Sequence, residues 1–280
     1  MSKWNLIIDV ATCHDCNNCF LSCKDEFCEN DFLPYSVAQP RHGHRWMDIL
    51  RKERGQYPLV DVAYLPVPCM HCDDAPCITE DGAVYRREDG IILINPEKAK
   101  GQKDLLDLCP YGSVWWNDEE GVAQKCTFCA HLLDDGWAEP RCVQACPTGA
   151  MRFLSVDDAD MERRVDEERL EVYHPEYQTG PRVYYKNLFR YARCFIGGNV
   201  ALKDVDECAE GAQVSLRDGS GQLAGSATTN NYGDFKIDNL KEDSGEYSLE
   251  VEYRGYQKHE SKVDLKDSVN VGTIFLQNGQ

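Results

Sequence analysis

The 280-residue chain contains no apolar run approaching the ~20 residues that a membrane-spanning helix requires, so direct membrane insertion is not expected. Cations are scarce: 30 Lys and Arg stand against 48 Asp and Glu, a formal net charge of -18. A nucleic-acid surface needs clustered Lys and Arg, and this balance argues against one. The opening residues MSKWNLIIDVATC show no charged, apolar and cleavable series. The chain itself therefore carries no address for export, and a cytoplasmic location is expected unless a signal-bearing partner carries it out. No His, Ser or carboxylate grouping resembles a nucleophile with its base, so no catalytic residue is assigned. Cysteine is nearly absent from the C-terminal part: of 15 cysteines only Cys208 follows Phe195.

The cysteines that are present fall into blocks. The first is Cys13, Cys16, Cys19 and Cys23, a CxxCxxCxxxC run of the kind that wraps thiolates around a four-iron, four-sulfur cube in bacterial ferredoxins. A second block opens with Cys69, Cys72 and Cys77, but Asp81 stands where its fourth thiol belongs. Cys109-Pro110 is the tail of a third run, whose earlier positions are Ala99, Gln102 and Leu105. The last block, Cys126, Cys129, Cys142 and Cys146-Pro147, is complete, with 12 residues inserted between its second and third cysteines.

In two-cluster ferredoxins the fourth cysteine of each run ligates the cluster of the other run. Pairing the first and last blocks by that rule gives cluster one on Cys13, Cys16, Cys19 and Cys146, and cluster two on Cys126, Cys129, Cys142 and Cys23. Pairing the middle blocks gives cluster three on Cys69, Cys72, Cys77 and Cys109. It leaves a fourth seat at Ala99, Gln102, Leu105 and Asp81 with no thiolate at all, so three 4Fe-4S clusters are expected. Structural zinc also uses CxxC pairs, but runs ending in CysPro fit ferredoxin spacing better, and disulfides are disfavoured without a secretory route. Cys28, Cys194 and Cys208 are left as ordinary thiols. His14 and His71 lie between cluster cysteines, where a ring nitrogen can hydrogen-bond sulfur or simply be solvated. His42 and His44 belong to RHGHRWMDILRKERG, the one concentrated basic stretch, which suits an acidic partner or a place over anionic clusters.

The expected fold class is α+β: a double, pseudo-twofold ferredoxin-like domain over residues 1–195, then a small all-β immunoglobulin- or transthyretin-like sandwich over 196–280. The second part reads as seven short strand-like runs between Gly and Asn turns and suggests an antiparallel sandwich. In EYSLEVEY, Tyr247, Leu249, Val251 and Tyr253 share one face. Within the first domain a strand at Ile91–Ile94 precedes a helix expected to run through Leu108, with Leu105, Leu106 and Leu108 filling the abandoned seat. About 155–195 forms a surface helix with a narrow stripe (Met161, Val165, Leu170), then an extended aromatic connector that lies on the body or faces a partner.

The four blocks in this order resemble the electron-transfer subunits of molybdopterin oxidoreductases of the dimethyl sulfoxide reductase family. DCNNCF, GHRWM, PCMHC, GAVYRREDGI, NPEKAKG, CPYG, AQKCTFCAHLLDD and PRVYYKNL resemble, more narrowly, the small subunits of pyrogallol–phloroglucinol transhydroxylases. The resemblance implies a heterodimer with a large catalytic subunit carrying molybdenum on two pterin guanine dinucleotides. It also implies hydroxyl transfer between polyphenols without net redox change. The sandwich is similar to small β modules that serve as adhesion or spacer units, and it is expected to cover subunit surface rather than bind sugar or a cell surface. An electron-delivery subunit of a molybdenum-dependent reductase, such as a catechol dehydroxylase, is the alternative; a free-standing ferredoxin with a binding domain is a third reading.

Overall fold

The computed structural model describes residues 1–279, which fold as two units: Met1–Leu50 with Tyr64–Leu188, and Arg51–Ala63 with Phe189–Gln280. Cysteine density alone puts the break near Phe195 and keeps Arg51–Ala63 with the first domain. The segment groups instead with the C-terminal unit, where its Arg54 pairs with Asp238 at 2.8 Å and its Asp61 with Lys236 at 2.7 Å.

In the first unit, strand β1 (Lys3–Asp9) is followed by helix α1 (Asn18–Phe27) and by a hairpin of β2 (Met47–Gln56) and β3 (Leu59–Pro68) whose distal part belongs to the second unit. Two minimal hairpins come next, β4 (Val84–Arg86) with β5 (Ile92–Ile94) and β6 (Trp115–Asn117) with β7 (Val122–Gln124). Helices α2 (Ala130–Asp134) and α3 (Arg141–Gln144), strand β8 (Met151–Val156), helix α4 (Asp158–Glu168) and strand β9 (Val183–Lys186) complete it. Sheet order β8-β1-β9 makes β1 central, antiparallel to β8 and parallel to β9. That position explains its unbroken apolar run: Leu6, Ile7 and Ile8 are all at most 1% exposed, as a strand covered on both faces requires.

The surface helix appears as α4. The Asp157 side chain accepts the Asp160 backbone N–H at 2.8 Å, and Asp158 and Asp160 place negative charge at the positive end of the helix. Its stripe buries Met161 against Ile7 with Val165 packed beside them, and Leu170, just past the helix end, joins the same cluster. The aromatic connector resolves toward the body of its own unit. Tyr185 is fully buried with its hydroxyl donating to the Pro66 carbonyl at 2.9 Å, and buried Arg182 pairs with Asp73 and, at 2.8 Å, with Asp158. The helix expected to run through Leu108 is instead a 3-10 turn at Lys103–Leu108, and the residues after Ile94 form turns.

Besides the distal part of the β2–β3 hairpin, the second unit contains helix α5 (Phe189–Ala192) and strands β10 (Cys194–Leu202), β11 (Glu207–Cys208), β12 (Gln213–Arg217), β13 (Leu223–Thr228), β14 (Asp234–Leu240), β15 (Gly245–Glu252), β16 (His259–Leu265) and β17 (Val269–Leu276). The seven expected runs are all strands, and the two-residue β11 is an eighth. One sheet orders β11-β10-β14, with β17 also on β10; the other orders β13-β12-β15-β16. The β10–β17 pair is parallel, which corrects the wholly antiparallel expectation. Alternation along β12, β14 and β15 sends Val214, Leu216, Phe235, Ile237, Tyr247, Leu249 and Val251 into one core between the sheets, with Tyr253 packed at its margin. The tight turn before β14 depends on Gly233, at φ +76°, where a Cβ would stand 2.3 Å from the Val200 carbonyl oxygen. Cys194 lies in this core and Cys208 is exposed.

Candidate iron–sulfur sites

The cysteine loops curl because several of their non-glycine residues adopt left-handed backbone: Asp15 and Asn17 in the first block, His71 in the second, Phe128 and Cys129 in the fourth. Such turns direct backbone N–H groups toward one side of the loop. The Phe128 N–H donates to Cys126 Sγ at 3.4 Å. Backbone N–H groups of Tyr111 and Ser113 reach Cys109, and that of Arg141 reaches Cys129.

The folded chain gathers the thiols in three neighbourhoods. Cys13 and Cys19 feel Cys16 and Cys146; Cys23 feels Cys126 and Cys129, and Cys142 feels all three; Cys72 and Cys77 feel Cys69 and Cys109. Burial, reinforced by like charge, pushes the Cys19 and Cys72 thiols up to about 12 and those of Cys77 and Cys126 up to about 11. Cys146 goes the other way. Burial raises it, but hydrogen bonds from the Thr148 side chain and from the backbone of Ala150, Thr148 and Met151 outweigh that and lower its pKa. Influence also crosses the groups: Cys142 and Cys23 feel Cys19, and Cys126 feels Cys69.

The residues fit iron–sulfur cubes. The block cysteines are all free of disulfides, and two loops hold buried polar atoms without partners, His71 Nε2 and Thr127 Oγ1, as groups facing an inorganic sulfide would be. His71 is fully buried, stacked on Phe128 with ring centroids 3.7 Å apart, and its Nδ1 accepts the Ile92 N–H at 3.0 Å, which leaves the proton on Nε2. Burial, aided by the charge of Lys125, holds its pKa well below the ordinary imidazole value. Among the described residues no three His, Cys, Asp or Glu side chains converge on a single-ion position; a cube spreads its thiolates over separate irons and does not ask them to. His14 is exposed.

The abandoned seat is closed. Asp81 and Gln102, two of its four positions, bond to each other at 2.8 Å through Gln102 Nε2 and Asp81 Oδ2. Lys98 Nζ donates to the Asp81 carbonyl at 2.9 Å, and hydrogen bonds from the Thr79 hydroxyl, the Ala83 N–H and Gln102 bring the Asp81 carboxyl down to about 2. Beneath them Ala99 (0% exposed) and Leu105 (1%) sit in one apolar cluster with Cys77, Val84, Ile92, Ile94 and Val122. Leu106 packs at its edge, but Leu108, the last residue of the 3-10 turn, is 37% exposed and takes no part. Leu105→Ala is expected to lower stability by about 3 kcal/mol while leaving the iron content unchanged, checked by chemical denaturation alongside metal analysis.

Two features escaped the sequence. Lys125, beside Cys126, is only 2% exposed, and the Asp81–Gln102 bond joins positions that spacing marked only as missing ligands. The basic stretch does not form one face: His42 is exposed, while His44 is buried and bonded to the Trp116 carbonyl at 2.8 Å.

Residues 60–156 match the 4Fe-4S dicluster domain family, and residues 196–277 match the carboxypeptidase regulatory-like domain family. The chain is 50% identical to the pyrogallol hydroxytransferase small subunit of Pelobacter acidigallici, over 99% of this chain and 100% of that protein. It is 31% identical to a Halobacterium salinarum protein assigned as a dimethyl sulfoxide reductase iron–sulfur subunit, over 67% of this chain and 80% of the relative. It is 29% identical to the arsenate respiratory reductase iron–sulfur subunit of a Shewanella strain, over 67% of this chain and 97% of the relative. With thiol-lined sites in a dicluster domain and a relative matched from end to end, the chain belongs to the family of pyrogallol hydroxytransferase small subunits, as the iron–sulfur electron-transfer subunit of a molybdoenzyme complex.

Proposed function

We propose that the chain holds three 4Fe-4S clusters for a transhydroxylase that moves a hydroxyl between polyphenols, in a heterodimer whose large subunit carries molybdenum on two pterin guanine dinucleotides. The observation that carries this reading is the full-length match to the Pelobacter acidigallici protein. The thiol quartets supply the seats: Cys13, Cys16, Cys19 and Cys146; Cys126, Cys129, Cys142 and Cys23; and Cys69, Cys72, Cys77 and Cys109. Bound in these seats, the clusters would accept and return single electrons. The chain's own part is to bury the thiolates, direct N–H donors at their sulfur atoms and keep water away, all of which set a cluster's potential.

The closed seat supports transhydroxylation over net electron delivery. Beside Cys77, the positions where a fourth set of ligands would stand hold Asp81, Gln102, Leu105 and Ala99. Transfer of a hydroxyl between two polyphenols consumes no electrons overall and needs no outlet to a quinone pool. The purified complex is expected to convert pyrogallol with no added reductant. Strict dependence on an electron donor would overturn this reading in favour of a reductase such as a catechol dehydroxylase. The C-terminal sandwich would cover partner surface, and among the described residues no helix is long and apolar enough to cross a membrane.

A further inference from the structure

Lys125 follows β7 directly and precedes the cluster-two ligand Cys126. Its ammonium is buried, donating to the Ile92 carbonyl and, at 3.0 Å, to the Cys126 carbonyl. Neither partner is an anion, and among the described residues Lys125 forms no ion pair with a carboxylate. A buried charge without a counter-ion is unfavourable unless an anion of another kind stands nearby. The thiols that feel this charge are Cys77 and Cys109 of one quartet and Cys126 of the next. His71 and Phe128 stack across the same joint, and Ile92 is held there at both backbone groups, its N–H to His71 and its carbonyl to Lys125.

We infer that Lys125 is the fixed counter-charge at the joint between clusters two and three, and that it raises the potential of cluster three, two of whose thiols it faces, and with it that of cluster two through Cys126. The inference rests on the three-cluster reading above. Each cube with its thiolates is a net anion and gains one more negative charge on reduction, so a nearby cation favours the reduced form. In a water-excluded site that preference is strong, and no carboxylate here spends the charge on a local pair. Lys125 touches no substrate; it is a positioning residue acting on potential.

The test uses the purified complex with Lys125→Gln and Lys125→Arg, each assayed for iron and titrated electrochemically with electron paramagnetic resonance as the readout. Gln retains donors for the two carbonyls and loses the charge; Arg retains the charge. In Lys125→Gln the reduction equilibrium of one cluster is expected to fall at least about tenfold, 59 mV for a one-electron couple, with little change in Lys125→Arg. Iron lost from one seat in Lys125→Gln but retained in Lys125→Arg would equally support a required counter-charge. Full iron with unmoved potentials in Lys125→Gln would overturn the inference, as would loss of iron in both variants, which marks a packing role. The iron content of the unmodified complex, about twelve per small subunit, decides the three-cluster reading separately.

Discussion

Cys146→Ala is expected to empty the site of Cys13, Cys16 and Cys19, more than a hundred residues away in sequence, while the site of its own neighbours Cys126, Cys129 and Cys142 stays loaded. The reciprocal variant, Cys23→Ala, is expected to empty the Cys126 site and spare the first. The expectation follows from which thiols the fold brings together: Cys146 acts on Cys13 and Cys19, whereas Cys23 acts on Cys126 and Cys129. Each variant loses about four of about twelve irons, since a cube with three thiolates in a site shaped for four is poorly held. Metal analysis gives the number, and Mössbauer or paramagnetic resonance spectra show which environment vanished. Were Cys146→Ala to remove the Cys126 signal instead, each block would be closing on itself and the crossed assignment would be wrong.

The second large effect is one of stability. Arg54 is fully buried, and its guanidinium bonds Asp61 and, at 2.8 and 3.1 Å, both oxygens of Asp238, as well as the Arg193 carbonyl at 3.0 Å. Arg190 and Lys236 also reach Asp61, at 3.0 and 2.7 Å. Arg54→Met leaves two largely buried carboxylates short of a buried cationic partner and is expected to cost about 3–5 kcal/mol. The thermal transition of the C-terminal unit should drop by about 15 °C in a calorimetric scan. The pH dependence has a definite sign. Burial raises the Asp61 and Asp238 carboxyls, but Lys236 and Arg54 overcome that for Asp61, and Arg54 first of all for Asp238, so both folded pKa values lie below the ordinary carboxylate value. A group with a depressed folded pKa contributes stability that is complete above its unfolded value, about 3.9, and is lost as the pH falls through the folded one. The gap between Arg54→Met and the unmodified chain should therefore be widest above about pH 4 and narrow below it. A constant gap down to pH 2 would show that Arg54 acts through packing alone.

Cysteine spacing was legible because cluster ligation is a local rule: CxxC loops and CysPro tails encode their geometry in adjacent residues. The strands of the sandwich were legible for a similar reason, since alternation in QVSLR, DFKID and EYSLEVE repeats every two residues and needs no distant partner to be read. What stayed hidden depends on pairing across long stretches of chain. Nothing near Arg54 announces Asp238, 184 residues later, and so the segment Arg51–Ala63 could not be assigned to the second unit. The parallel pairs of β1 with β9 and β10 with β17 were equally silent. The exposure of Leu108 at the end of its turn has no signal in the apolar pattern, and Lys125 gives none because a lysine next to a cysteine block is ordinarily solvated.

Iron anomalous scattering from crystals of the complex tests the central claim most directly. Three iron clusters are predicted in a row, the last held by Cys69, Cys72, Cys77 and Cys109, with no iron beside Asp81, Gln102, Ala99 or Leu105. Anomalous density next to Gln102, or a Cys109 thiol bound to nothing, would contradict it.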